Sequence, residues 1–247
     1  MVEKSERAVE EQRLRKATRA VARPDSRYQY DLDCFIPDFP GSEAAALKLR
    51  ERPDYHAAQL IFATPDNALI EARRLMLEDG KSLIVPTYGL TLGFLFVDPA
   101  QIPAEALRYA AWLDGIAHFG APVSLDRLRN LPRVDFIVAG AAAVARNGVR
   151  FGMGYHYLDV EWGLLAGMNI VAPQAPVISI VHDCQYSPLD IAPTPFHVGA
   201  SAVLTPTAAY DIPSAISGRP TALAREIVPG DLAATDILQE YVALKRS

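Results

Sequence analysis

Five short apolar runs do most to limit what this chain can become. They are AAQLIFA (57–63), SLIVP (82–86), RVDFIVAG (133–140), VISIVHD (177–183) and SAVLTP (201–206). Runs of five to eight residues, rich in Val and Ile and bounded by turn residues, read as strands buried on both faces. Between the first two, Thr64 is placed to cap a helix and Pro65 sits at its first position. Leu69, Ala72, Arg73 and Met76 follow, and Gly80 stops the helix. Strand–helix–strand units have parallel strands. The expectation is an α/β fold: an open, mainly parallel sheet with helices on both faces, formed by residues 1–247 as a single domain. In such sheets ligands bind beyond the carboxyl ends of the strands.

The remaining segments fit around that sheet. Residues 3–22 read as a helix with Leu14, Ala17 and Val21 as its apolar stripe. Lys16, Ala20 and Arg23 share another face, with Arg19 beside it, and Pro24 and Asp25 end the helix. The stretch YQYDLDCFIPDFPGSEAA is broken by Pro37, Pro40 and Gly41, and Ser42 can cap a short helix through Arg50. Its aromatic Phe39 is a candidate pocket wall. LGFLFV (92–97) reads as a further strand and residues 103–118 as a helix. Asp231 is placed as the cap of a final helix with Ala234, Ile237, Leu238 and Tyr241 on one face.

Charge and cysteine content narrow the partners. With 24 Lys and Arg against 29 Asp and Glu, the chain carries a net charge of −5, so no nucleic acid is expected. Cys34 and Cys184 form no CxxC pair, which argues against a thiolate zinc site. The charged N-terminus has no apolar signal core, and no apolar run approaches the roughly 18 residues of a membrane span. A cytoplasmic protein acting on a small molecule is expected, with the oligomeric state open.

The chemistry concentrates in VRFGMGYHYLDVEW (149–162). Gly152 and Gly154 could turn backbone N–H groups toward an anion. Asp159 and Glu161 are hard oxygen donors suited to Mg²⁺. A plain strand-to-helix turn remains the alternative. His156 could supply charge beside a phosphate or act as general acid or base, or it could simply face solvent. His182 and Asp183 stand at a strand end, where neighbouring residues point to opposite faces, so they do not read as a catalytic pair.

The run DFIVAGAAAVARNGVRFGMGYHYLDVEW (135–162) resembles the 5-formyltetrahydrofolate cyclo-ligase family, whose members show a buried strand and then a G-R-x-G-x-G-x-G-Y-x-D loop. FIPDFPGSEAAALKL, PDNALIEARRLMLEDGKSLIVP, VHDCQ, LTPT and the K-x-x-R of Lys16 and Arg19 are similar to its divergent methenyltetrahydrofolate-synthetase-domain branch. The resemblance covers roughly residues 13–210. It implies the open α/β sheet of ribose-5-phosphate isomerase and the coenzyme A transferases (the NagB/RpiA/CoA-transferase-like fold). It also implies a reaction in which Mg-ATP phosphorylates the formyl oxygen of 5-formyltetrahydrofolate, N10 closes the ring and 5,10-methenyltetrahydrofolate forms. ATP and Mg²⁺ are the implied cofactors, and a reduced folate or similar heterocycle is the implied ligand.

Carried onto this chain, the resemblance places Lys16 and Arg19 at the ATP phosphates, with Gly152, Met153, Gly154, Tyr155 and Tyr157 as the rest of the ATP loop. Asp159 would be catalytic and at the metal, joined there by Glu161, and His156 is the second catalytic candidate. Phe39, His182, Asp183 and Gln185 would line the substrate pocket. The sequence departs from the family where His156 replaces the third loop glycine, Met153 a lysine common in the branch, and Val160 an arginine. Near Phe196 and His197 the family's His-Asp pair lacks its aspartate. Two further readings stay open: a ligand-binding paralogue that has lost the chemistry, and a different reaction on a heterocycle linked to thiamin metabolism.

Overall fold

A computed structural model describes residues 4–25, 27, 31, 35–152, 157–230 and 232–246. In chain order the elements are α1 (Lys4–Val21), α2 (Ser42–Leu47), α3 (Pro53–Ala57), β1 (Leu60–Ala63), α4 (Ile70–Glu78), β2 (Ser82–Pro86), β3 (Phe94–Val97), α5 (Leu107–Ala110), α6 (Leu113–Phe119), β4 (Ala121–Val123) and α7 (Leu125–Leu128). They continue with β5 (Phe136–Gly140), β6 (Ala143–Ala145), β7 (Arg150–Phe151), α8 (Tyr157–Gly167), β8 (Val177–Ile180), β9 (Tyr186–Ser187), β10 (Ala202–Leu204), β11 (Ala209–Asp211) and α9 (Asp236–Arg246).

The five apolar runs become β1, β2, β5, β8 and β10. They form the parallel centre of an eight-stranded sheet ordered β11-β10-β8-β5-β1-β2-β3-β4. β3, β4 and β11 are antiparallel additions at its rims. Period-two alternation splits the core into two layers. Ile61, Ala63, Phe136 and Val138 pack with α2 and α4 on one face. Leu60, Phe62, Ile137 and Ala139 pack with α8 and α9 on the other. Among the described residues no helix is long and apolar enough to cross a membrane.

β1 leads through α4 to β2 on one side, and β5 leads through α8 to β8 on the other. The strand order therefore reverses between β1 and β5, and the region beyond their carboxyl ends is where sheets of this kind take up ligands. A small sheet ordered β7-β6-β9 stands above that end. α1 packs on it through Leu14, against Ala143, Val149 and Phe151.

Three local expectations change. Thr64 does not cap a helix: its hydroxyl donates to Asp66 Oδ2 at 2.5 Å and accepts from Gly140 N at 3.1 Å, and the α-helix begins only at Ile70. Gly41, in the left-handed region at φ 87°, takes the cap position expected of Ser42. The 103–118 helix is interrupted at Trp112, which is extended (φ −82°, ψ 157°). There the chain folds back so closely that a Cβ on Gly115 would lie 1.9 Å from the Tyr109 carbonyl oxygen. The proposed cap Asp231 and Cys34 lie outside the described residues.

Candidate functional site

Buried charge gathers beyond the carboxyl ends of β1 and β5. Asp66 follows β1, and its Oδ2 accepts from Thr64 Oγ1 and, at 3.2 Å, from the N–H of Gly140 at the end of β5. The approach requires glycine, since a Cβ at position 140 would lie 2.6–2.8 Å from the Asp66 side chain. Gly140→Ala should displace that carboxylate and cost about 1–3 kcal/mol, the usual range for overpacking a tight contact. A urea melt of the variant checks this.

Arg150 lies on β7 beside that carboxylate. Its Nη2 donates to Gly140 O at 2.9 Å, and its buried Nε has no hydrogen-bond partner among the described residues. Asp159 and Glu161 arrive on α8, whose residues 158–165 are buried all round, so both carboxylates leave water, at 4% and 3% exposure. About 200° apart on the helical wheel, they do not share a face.

Asp159 turns to the loop before β10. Its Oδ1 accepts from Val198 N at 2.9 Å, and its Oδ2 lies 3.7 Å from His197 Nδ1. His197 Nε2 accepts from Arg150 N at 3.1 Å, which assigns the ring proton to Nδ1, facing the carboxylate. With Nε2 occupied by a backbone donor, this pair is a clamp and does not form a base–acid dyad.

Glu161 has one oxygen, Oε2, without a hydrogen-bond partner among the described residues. Burial first, and then the charges of Asp66 and Asp159, push its carboxyl up to about 8 against the pull of Arg150. Asp66 is also pushed up, by burial, although Thr64, Arg150 and Arg73 oppose it. Burial pulls Arg150 down, opposed by Asp159, Asp66 and Glu161. The cluster is thus three acids around one guanidinium.

The other sequence candidates are placed as follows. Gly152 follows β7, and Arg15 of α1 donates to its carbonyl at 2.9 Å, so the basic helix does dock at this loop. Lys16 and Arg19 are exposed on α1. Tyr157 opens α8, its hydroxyl near Gly89. Met153, Gly154, Tyr155 and His156 lie outside the described residues.

Phe39 is core, 1% exposed, with its ring edge against His182. His182 Nδ1 accepts from Cys184 N, and Gln185 donates to the carbonyls of Ala141 and Ala142. Asp183 accepts from the hydroxyls of Thr205 and Thr207. These three side chains therefore staple the loop after β8 to its surroundings. Sequence reasoning passed over Asp66 and Arg150 as site residues, and it met His197 only as the place where an aspartate is missing. The first two carried a signal: Asp66 stands just beyond a buried run, and Arg150 occupies the arginine of the G-R-x-G pattern.

The described donors do not suit a divalent cation. Both Asp159 oxygens face protein donors, and no group of three or more His, Cys, Asp or Glu among the described residues could hold a metal.

Comparison with known proteins places this site in context. The model of the 5-formyltetrahydrofolate cyclo-ligase family matches residues 2–206. The methenyltetrahydrofolate synthase domain-containing protein of Mus musculus is 36% identical over 175 residues, which is 70% of this chain and 46% of the relative. Its Homo sapiens counterpart is 32% identical over 175 residues, 70% and 45% of the two chains. The chain thus spans about half the length of these curated relatives. Among solved structures, the NMR structure of Aquifex aeolicus 5,10-methenyltetrahydrofolate synthetase overlaps with a TM-score of 0.43 at 17% identity, covering 70% of this chain and 81% of that one. The β subunit of Chaetomium thermophilum eIF2B overlaps with a TM-score of 0.39 at 14% identity, covering 69% and 52%.

Proposed function

Since the chain belongs to the 5-formyltetrahydrofolate cyclo-ligase family, we propose that it binds a reduced folate, or a related N-formyl heterocycle, beyond the carboxyl ends of β1 and β5 and carries out the family's ATP-dependent ring closure on it. The observation that supports this is the meeting of Arg150, Asp159 and Glu161 with Asp66 where the strand order reverses. ATP turns an amide-like formyl oxygen into a leaving group, so the protein's own task is positioning and charge neutralisation. Arg150 and Arg15 supply positive charge around the Gly152 loop. With its carboxyl pushed up to about 8, Glu161 in its protonated form can donate a hydrogen bond that a carboxylate could not. The family uses Mg²⁺, but the described donors do not fit it.

A second reading, ligand binding without turnover, is favoured by one observation: Asp159 is occupied by Val198 N–H and His197. One experiment separates the two. Purified protein with 5-formyltetrahydrofolate, ATP and Mg²⁺ is followed for the methenyl chromophore, and each ligand is titrated alone by calorimetry. Steady turnover is the expected result. Folate binding without product or nucleotide binding selects the second reading, and no binding of either ligand rejects both.

A further inference from the structure

We propose that Arg219 is a positioning residue of this site: it fixes the His197–Gly199 turn that clamps Asp159, and so makes a segment beyond the family match a working part of the ligand pocket. The family match ends at residue 206. Arg219 Nη2 donates to Gly199 O at 3.0 Å, and its Nη1 donates to Ala175 O at 2.5 Å. Its guanidinium lies 5.0 Å over the ring of Trp162, whose Nε1 donates to Pro220 O at 2.7 Å. Trp162 is the next residue after Glu161 on α8. One side chain thereby ties the helix that carries both buried acids to the turn that holds one of them.

That turn is heavily constrained. Val198 N and His197 Nδ1 face Asp159, His197 Nε2 accepts from Arg150 N, and Ala200 N donates to Gly148 O at 2.8 Å. Its lead-in residue Phe196 holds φ at 64°, a left-handed backbone that a side-chained residue keeps only when its surroundings enforce it. Arg219 is an expensive choice for simple packing. Its Nε is buried without a hydrogen-bond partner among the described residues, and burial, together with the charge of Arg150, lowers its pKa to about 10. An aliphatic side chain would cover Trp162 without either penalty. What the arginine adds is a planar fork that fixes two carbonyls at once.

This inference rests on the reading that Asp159 belongs to the ligand site, and its test keeps the two apart. The full chain, labelled with ¹⁵N-histidine, is compared with Arg219→Met and Arg219→Lys, with His197→Gln used for assignment. In the parent, His197 should appear as the Nδ1–H tautomer with a slowly exchanging ring proton. Arg219→Met should lose that signal and weaken calorimetric affinity for 5-formyltetrahydrofolate about tenfold, which corresponds to about 1.4 kcal/mol; Arg219→Lys should restore part of both. A folded Arg219→Met protein with the parent's His197 spectrum overturns the proposal. If the methionine variant does not fold, an unchanged His197 spectrum and unchanged affinity in Arg219→Lys overturn it instead. If the parent binds no 5-formyltetrahydrofolate, the functional reading fails while the spectrum still decides Arg219.

Discussion

Arg150→Met is expected to destabilise the protein by about 3–5 kcal/mol at neutral pH, the usual cost of leaving buried opposite charge without its partner. Arg150 is the guanidinium that interacts with Asp66, Asp159 and Glu161 together. Its loss removes the bond to Gly140 O as well. The deficit should shrink as pH falls, because protonated carboxyls need no cation. Urea melts of parent and variant at pH 7 and pH 5 read both effects. A loss below about 1 kcal/mol at pH 7 would mean that the buried carboxylates beside Arg150 are neutralised elsewhere.

Glu161→Gln should behave in the opposite sense and stabilise the protein progressively as pH rises. In the folded chain this carboxyl is pushed up to about 8 from an ordinary value of 4.5. The native state therefore holds a proton that the unfolded state has released, and parent stability falls as pH rises between those values. Glutamine keeps the shape of the neutral acid and has nothing to release. At about 1.4 kcal/mol for each tenfold change in proton affinity, the variant should gain roughly 3–5 kcal/mol over the parent by pH 8. Below pH 4.5 the two should agree closely. Asp66 is displaced in the same direction, so some slope should remain in the variant. Parallel stability curves from pH 4 to pH 9 would contradict the assignment.

The strands were legible because burial on both faces leaves a continuous apolar run. LIFA and FIVAG need no tertiary information to be recognised, and β1 and β5 lie where those runs predict. The 103–118 segment was not legible, because a contact six residues back, between Gly115 and Tyr109, overrides a helical pattern. Thr64 and Pro65 imitate a helix start, yet the hydroxyl is claimed by Asp66 and by a strand 76 residues away. For the site, the sequence marked Asp159 and Glu161 as acids. It could not tell that one would be clamped, by His197 and Val198, and the other's carboxyl pushed up, by burial and by Asp66, since these partners arrive from other segments. His197 in particular reads as the place where an aspartate is missing. Only the fold sets its ring against Asp159.

The rims of the large sheet have a bearing on how the folded chain meets copies of itself. Each rim closes on a strand of three residues, β4 with Pro122 in the middle and β11 ending on Asp211, which pairs with Arg52 at 2.8 Å. Proline has no N–H to offer a neighbour, and a short charged strand gives an incoming chain little to extend. Both rims are poor templates for fibre-like stacking. That hazard belongs to unfolded chains, in which LIFA and FIVAG are released from the centre of the sheet.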